Sequence, residues 1–435
     1  MAGKKTISII PSPLVLAIVL SFVVYFLALI FTSPPAGENA YPVLLLNYYQ
    51  KGFWDLLAFA MQMMLILVLG NVLALTPFFQ KLIKFILSRI HSASSALILT
   101  VFFSLILTWF NWGLGLIFSA LLVRSIAENA RLNSMKINYP LLVAAAYSGM
   151  MIWHGGLSGS ATLKIAEANH FLSDVTGIIP VNETIFSTMN LTLYASFLIL
   201  IPLTFLLLSR IKTNRYTPLS DLPEHVSIPQ SGSRQKRQYL GFVFGVVLAF
   251  IAVYQFYLFG FSCLNINLIN LILLSLGLLL YANLEQFMNA VKTAIVSSTG
   301  IMIQFPIYAG IMGLMKYSGL AEVFTQSLIS ISSPHTLPVY GFFSAAVVNF
   351  FVPSGGGQWA VQGPILAEAA QHLGVSVPKI IMALVYGDQL TNMIQPFWAL
   401  PLLSITAVKA KSIIPYTFVV MIVGGLASVV VLLLF

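Results

Sequence analysis

Apolar residues run along this chain in blocks of about twenty, the length that carries an α-helix across a hydrocarbon layer about 30 Å thick. Full crossings are expected near 11–32, 53–75, 139–165, 187–209, 239–260, 266–283, 294–316, 379–400 and 413–435. Two further apolar stretches, 95–123 and 337–366, are too long for one span and carry small and polar residues at their centres. The first breaks at Trp109-Phe110-Asn111-Trp112-Gly113-Leu114-Gly115. The second breaks at Asn349-Phe350-Phe351-Val352-Pro353-Ser354-Gly355-Gly356-Gly357-Gln358. A proline followed by three glycines does not sustain a helix, and bare backbone at membrane depth is tolerated only inside protein or beside an aqueous cavity. Both stretches therefore read as re-entrant hairpins that return to the side they entered. The segment 77–91, with Phe78, Phe79, Leu82, Ile83, Ile86 and Leu87 set among Lys81, Lys84 and Arg89, suits an amphipathic helix lying in the interface.

Charge supports this layout. With the hairpins folded back, most of the 21 lysines and arginines share one face: Lys4, Lys5, Lys81, Lys84, Arg89, Arg124, Arg131, Lys136, the basic residues of 210–238, Lys292, Lys409 and Lys411. Lys51, Lys316 and Lys379 fall on the other. That is the positive-inside pattern, with the N-terminus cytoplasmic and the C-terminus periplasmic. An ordinary crossing at 95–123 would move Arg124, Arg131 and Lys136 outside and flip every later loop. Residues 1–210 then hold two crossings, a hairpin and two crossings, and residues 266–435 repeat that series. Between them, 211–265 supply a polar, Pro- and Ser-Gly-containing cytoplasmic linker and one extra crossing, which inverts the second half. Asn111 and Asn349, Pro140 and Pro378, and Gly149 and Gly387 lie at one common spacing, but topology carries the inference. The expected fold class is an all-α integral membrane protein: a polytopic secondary transporter with inverted repeats, about nine full spans and two re-entrant hairpins.

Composition narrows the function. The chain is 59% hydrophobic and only 8% charged, and its mean hydropathy is +0.94; soluble domains carry about a quarter charged residues. A net charge of +9 would suggest nucleic acid in a soluble protein. Here the basic residues sit in the gaps between apolar runs, so no nucleic-acid partner is expected. The single cysteine, Cys263, excludes an internal disulfide and a thiolate metal cluster. Lys4 and Lys5 precede an apolar run longer than a signal-peptide core and without an Ala-x-Ala site, so a first transmembrane helix is expected there.

Interrupted helices at mid-membrane depth offer free N–H groups and a positive dipole end to a carboxylate, and their carbonyl and hydroxyl oxygens suit Na⁺. Besides the two hairpin tips, each half has one more polar, Gly-rich interruption: Tyr147-Ser148-Gly149 to Thr162, and Tyr386-Gly387-Asp388-Gln389-Leu390-Thr391-Asn392 to Pro396. The four breaks are expected to converge. Candidate substrate-binding residues are Asn111, Gly113, Ser148, Gly155, Gly156, Ser158, Ser160, Asn349, Pro353, Ser354, Gly355, Gly356, Gly357 and Gln358. The glycines after Pro353 are read as a nest of N–H donors, against simple close packing of a neighbouring helix; no Lys-Ser or Lys-Thr follows them, so this is no phosphate loop. Asn111 and Asn349 are either backbone-satisfying amides or ion ligands. Asp388, an intramembrane acid, is functional by default; with Thr391, Asn392 and Asn349 it would carry a coupling H⁺ or Na⁺, against a structural role beside Lys164 or His154. The serines and Thr162 either bond between helices or line the site, and His154 is either packed or in the site. Lys164 either snorkels to the surface or selects anions. Trp109, Trp112, Trp359 and Trp398 wall the cavity or pack the hairpins.

Three stretches carry a family resemblance: Phe351-Val352-Pro353-Ser354-Gly355-Gly356-Gly357-Gln358-Trp359-Ala360-Val361-Gln362-Gly363-Pro364, Tyr386 to Asn392, and Trp153-His154-Gly155-Gly156-Leu157-Ser158-Gly159-Ser160. They resemble the AtoE-type short-chain fatty acid transporter family, and the likeness in layout covers nearly the whole chain. The resemblance implies uptake of short monocarboxylates such as acetoacetate and butyrate across a bacterial inner membrane. It also implies kinship with ion-coupled carriers that move their site by an elevator motion and are often homodimers. No cofactor is implied beyond a coupling H⁺ or Na⁺. Two rivals stand against it. Gly156-Leu157-Ser158-Gly159 fits the Gly-x-Ser-Gly of rhomboid intramembrane proteases, but no histidine on another span is placed to serve as base; a metal hydrolase would need His-Glu-x-x-His. A passive channel commonly repeats a pore unit around an axis, whereas inverted halves favour alternating access.

Overall fold

The computed structural model describes residues 13–35, 40–132, 135–211, 239–281, 283–350, 352–395 and 398–435. The linker from 212 to 238 and Lys4 and Lys5 lie outside the described residues, as do Phe351 and Pro396. All regular structure among the described residues is helical.

The first half runs α1 (Pro13–Phe31), α2 (Tyr41–Gly52), α3 (Leu57–Ala74), α4 (Pro77–Leu87), α5 (Ala93–Phe110), α6 (Trp112–Leu132), α7 (Tyr139–Tyr147), α8 (Ser160–Lys164), α9 (Ser173–Thr176) and α10 (Thr188–Arg210). After α11 (Tyr239–Phe259) come α12 (Ile266–Tyr281), α13 (Leu284–Ala294), α14 (Thr299–Ser318), α15 (Leu320–Ile331), α16 (Leu337–Val348), α17 (Gly355–His372), α18 (Val377–Thr391), α19 (Leu400–Thr406) and α20 (Ala410–Leu434). Eight helical segments among the described residues are long and apolar enough to cross a membrane, including α5 and α6 separately. The protein is a polytopic all-α membrane protein. Its outward residues, such as Phe22, Phe26, Phe250, Tyr257 and Leu426, are apolar and exposed, as lipid-facing positions must be.

The order of elements repeats. Each half gives a long helix, a short one, a long one, a short amphipathic one, a pair joined by a break, an interrupted helix and a closing long helix. Helices α2, α4 and α6 begin at Tyr41, Pro77 and Trp112; α13, α15 and α17 begin at Leu284, Leu320 and Gly355, at one constant spacing along the chain. The amphipathic stretch expected at 77–91 is α4, which buries Phe79, Ile83 and Ile86. Its counterpart α15 was not foreseen.

The breaks fall where the chain chemistry puts them. Helix α5 ends at Asn111, whose extended backbone (φ −156°, ψ 121°) turns the chain into α6, and the two helices pack on each other. Helix α16 stops at Val348, and α17 restarts at Gly355 with Ser354 as its cap, its hydroxyl accepting from the Gly357 amide at 3.2 Å. Between α7 and α8 the chain forms a 3₁₀ turn (Ser148–Met151) and a looped stretch. The span expected at 379–400 is likewise interrupted: α18 ends at Thr391, a 3₁₀ turn follows (Asn392–Ile394), and α19 starts at Leu400.

Candidate functional site

The two interrupted helices meet the two broken pairs in the middle of the molecule. Helix α16 packs along α18, and Asn349 just past its end is the joint between them. The Asn349 Nδ2 lies 2.7 Å from the Asp388 carbonyl oxygen, 2.9 Å from Thr391 Oγ1 and 2.9 Å from Asn392 Oδ1. Its own carbonyl accepts from Gln395 Nε2 at 2.7 Å. The four residues read as ion-coupling are thus brought together, with an amide nitrogen at the centre of three oxygens. Asn111 does comparable work in the first half: its Oδ1 accepts from the Leu114 amide at 2.8 Å, and its Nδ2 donates to the Ile66 carbonyl at 3.1 Å. Of the two readings for Asn111, these bonds are those of a backbone-satisfying amide.

The second convergence involves charge. Among the described residues, four charged side chains are buried: Arg124, Lys164, Glu167 and Asp388. Arg124 pairs with Glu128, and Lys164 pairs with Glu167 at 2.5 Å while approaching Gln62. Lys164 therefore neither snorkels nor reaches Asp388. Asp388 has no lysine or arginine beside it among the described residues; its Oδ2 lies 2.5 Å from Nδ1 of His154, and its Oδ1 has no partner. His154 is fully buried and stacks on Trp153, centroids 4.5 Å apart and planes 10° apart. Its Nε2 lies 2.9 Å from Ser160 Oγ and accepts from the Ala161 amide at 3.2 Å. An acceptor at Nε2 places the ring proton on Nδ1, aimed at the carboxylate.

Ser160, His154 and Asp388 have the connectivity of a hydrolase triad, but the start of α17 covers the serine. A Cβ built on Gly355 would lie 2.8 Å from Ser160 Oγ, 2.7 Å from Trp153 Cη2 and 2.9 Å from His154 Cε1. No acyl group fits between them. Position 355 requires glycine because a helix N-terminus here rests directly on the histidine-serine pair. The next two glycines are packed as well, Gly356 against Phe305 and Phe59 and Gly357 against Tyr308. Close packing and donor geometry coexist at this turn. The amides of Gly355 and Gly356 open α17, where no intrahelical acceptor is available.

Directly before that turn lies a cavity of about 140 Å³, lined by Leu67, Trp112, Ile301, Gln304, Ser354 and Trp398 among others. Pro353 and Ser297 also reach it. At about 30 Å³ of liquid volume per water, it has room for a ligand of a few heavy atoms. Its walls are mainly apolar, and the indole N–H groups of Trp112 and Trp398 are buried without partners. Trp112 and Trp398 meet edge to face at 5.5 Å, and both approach Trp153. A larger cavity of about 740 Å³ runs along the flank of α17 at Ala360, Val361 and Glu368, and reaches Lys164, Lys316, Asp55, Asp174 and Glu322.

Of the candidate residues, Pro353 and Ser354 line the small cavity. Ser158 accepts from the Trp112 amide at 3.0 Å and so caps α6 beside the cavity. Gly113 is pressed on the Leu67 carbonyl and Gly156 on the Trp109 backbone. The Gly155 carbonyl accepts from Asn190 Nδ2 at 3.0 Å, and Ser148 bonds back to Ala145. These hold the breaks open without lining the cavity. Gln358 donates to the Ala345 carbonyl and to Gln362. Several participants were missed. Gln389 accepts at its Oε1 from the His154 amide and the Tyr194 hydroxyl, both at 3.3 Å. Asn190 accepts from the Tyr386 hydroxyl, and Ser297 and Gln304 line the cavity. For the last two, the polar run Ser297-Ser298-Thr299-Gly300 was the available signal.

This arrangement, broken helices converging beside a small cavity in a polytopic helical protein, is that of a membrane carrier. Two solved transporters share its fold. The Alcanivorax borkumensis YdaH transporter superposes with a TM-score of 0.59 at 13% identity, covering 98% of both chains. Neisseria gonorrhoeae MtrF, from a study describing a class of antimetabolite efflux pumps, superposes with a TM-score of 0.55 at 13% identity over 98% of this chain and 96% of that one. The family model described as "Short chain fatty acid transporter" matches residues 4–435, and the chain belongs to that family. A relative from Escherichia coli (strain K12), named "Putative short-chain fatty acid transporter", is 35% identical over 98% of this chain and 96% of its own. One of the same name from Haemophilus influenzae is 35% identical over 94% of this chain and 92% of its own.

Proposed function

We propose that this transporter takes up short-chain monocarboxylates, butyrate and acetoacetate among them, by ion-coupled secondary transport across a bacterial inner membrane. The observation that carries the reading is the small, apolar-walled cavity that reaches Pro353 and the capping Ser354, directly before α17. The carboxylate is held by the Gly355 and Gly356 amides and the positive end of the helix. The short chain lies among Leu67, Trp112, Ile301 and Trp398. The larger cavity suits an anion less well, since its lining carries Asp55, Asp174, Glu322 and Glu368 against Lys164 and Lys316; it serves as a vestibule.

In the same proposal the two halves are inverted about the membrane plane, with α5–α6 and α16–α17 re-entrant from opposite faces and the N-terminus cytoplasmic. The repeated order of elements and the distribution of basic residues support that orientation. Alternating access moves the hairpins and interrupted helices as one body, as in an elevator, with a homodimer as the fixed frame.

A panel of straight-chain acids from two to eight carbons, competing against labelled butyrate exchange in proteoliposomes, tests the substrate assignment. Inhibition is expected to rise by about fourfold per added methylene while each is buried, from about 0.8 kcal/mol apiece, and to fall for acids too long for the cavity, which can bind only by forcing its walls apart. Equal inhibition by all lengths, or inhibition by amines, would remove the carboxylate cavity from the reading.

A further inference from the structure

We propose that the two cavities are the two ends of one substrate path, and that an aromatic layer centred on Phe59 and Phe171 is the gate between them. This rests on the small cavity being the carrier's site and adds the barrier that closes it toward the vestibule. Three helices line both cavities, each at two different heights. On α3 the large cavity takes Ala58 and Phe59, and the small one takes Leu67. On α14, Met315 and Lys316 line the large cavity, and Ile301 and Gln304 the small one. On α17, Val361 and Glu368 line the large cavity, and the capping Ser354 the small one. The walls are continuous, so the two spaces are divided only by the side chains at the height between them.

Those side chains are aromatic and closely packed. The Phe59 and Phe305 rings meet with centroids 5.5 Å apart. Phe171 reaches Phe59 at 6.4 Å and Trp359 at 6.1 Å. Phe59, Phe305 and Trp359 are each no more than 2% exposed. A Cβ on Gly356 would lie 2.8 Å from Phe305 and 3.1 Å from Phe59, so α17 touches the layer with no room for a ligand between. Tyr308, fully buried against Gly357, extends it. No member carries a charge, and a carboxylate stripped of water there finds no ionic partner to replace it. An apolar constriction of this kind stops an ion by excluding its hydration.

One leaf of the gate differs from the rest. Phe59, Phe305 and Trp359 sit on helices, whereas Phe171 is carried by the chain between α8 and α9. That strap is tied to α3 before Phe171 and to α17 after it. Glu167 Oε1 accepts from Gln62 Nε2 of α3 at 2.9 Å, and the Val175 carbonyl accepts from Gln371 Nε2 of α17. Between the ties His170 closes the chain on itself: its Nε2 lies 2.9 Å from the Gly177 carbonyl, and its Nδ1 accepts from the Leu172 amide at 3.2 Å. A shift of α17 along α3 breaks one tie or the other. Either break draws Phe171 away from Phe59 or from Trp359 and joins the vestibule to the small cavity. Lys164, which holds Glu167, and Val175 both line the large cavity, so water there replaces the lost bonds.

The test labels engineered cysteines in sealed vesicles carrying the full chain with Cys263→Ser, which removes the single native cysteine. Gln304→Cys reports on the small cavity and Lys316→Cys on the vestibule. The probe is the membrane-impermeant 2-(trimethylammonium)ethyl methanethiosulfonate, applied to one face at a time; the face from which position 316 reacts is the vestibule side. From that side, position 304 is expected to react about tenfold more slowly than position 316, a difference of about 1.4 kcal/mol in the barrier to entry. From the opposite side it should react readily, since the cavity's rim residues Ser297 and Gly300 are exposed. Phe59→Ala and Phe171→Ala should each raise the vestibule-side rate at position 304 by about tenfold and leave position 316 unchanged. Equal rates at the two positions from the vestibule side overturn the gate, as does a position 304 that reacts from neither side or a rate that neither alanine variant changes. Should the alanine variants fail to insert, the comparison of 304 with 316 decides alone. The labelling uses no substrate, so loss of butyrate exchange in a chain that keeps this pattern is a different result, the failure of the carboxylate reading itself.

Discussion

Gly355→Val is expected to reduce the initial rate of butyrate transport by about 100-fold or more, the scale of a displacement near 1 Å in a site that positions its ligand. The first added carbon already falls within 2.7–2.9 Å of Trp153, Ser160 and His154. Those three are held in turn by the Trp112–Trp153–Trp398 cluster and by Asp388, so none can retreat without moving the cavity wall. The start of α17 must shift instead, carrying its free amides away from the ligand. Because the change sits at the first residue of α17 and not in the middle of a spanning helix, the protein should still insert and purify as a single species. Size-exclusion chromatography and proteoliposome uptake check the two halves of the expectation. A variant that transports at the wild-type rate would separate the glycine turn from the site.

Asn349→Ala should combine the largest loss of stability with loss of transport. The two N–H groups of its side-chain nitrogen are shared among the Asp388 carbonyl, Thr391 Oγ1 and Asn392 Oδ1, all on buried residues. Each buried acceptor left bare costs about 1–3 kcal/mol. The loss also unties α16 from α18 at the point where both helices end, so the position of Asp388 is no longer fixed. A fall in melting temperature in detergent together with a transport defect is expected. Asn349→Asp should not rescue either, because a carboxylate offers no donor to those three oxygens. Rescue by aspartate would indicate a cation among these residues.

Much of this architecture was legible in the sequence because a bilayer imposes simple rules. The Asn349 to Ser354 stretch breaks the chain as expected, between α16 and α17, but Gly355, Gly356 and Gly357, also expected to interrupt a helix, form the first turn of α17. Asn111 marks the matching break. Helices α2, α13 and α15 were not foreseen. At 11 or 12 residues they are shorter than the window over which hydropathy identifies a span. Helix α13 is as amphipathic as α4 but carries Glu285 and Asn289, which read as loop residues. Within the site, the sequence could nominate Asp388 as an acid at membrane depth, but it left His154 and Lys164 equal as partners. The choice depends on how α8 packs against α17 and α18, a long-range contact with no local signature. Glu167, which claims Lys164, lies just past the crossing expected at 139–165, yet it is buried. Gln389, Gln395 and Asn190 are single amides whose role exists only once the breaks are stacked on one another.

The carboxylate position at the head of α17 is tested most directly by a crystal structure with 4-bromobutyrate, the bromine located by its anomalous signal. The account predicts a bromine peak between Trp112 and Trp398, with the carboxylate against the Gly355 and Gly356 amides. A single peak in the larger cavity beside Lys164, with the small cavity empty, would contradict it.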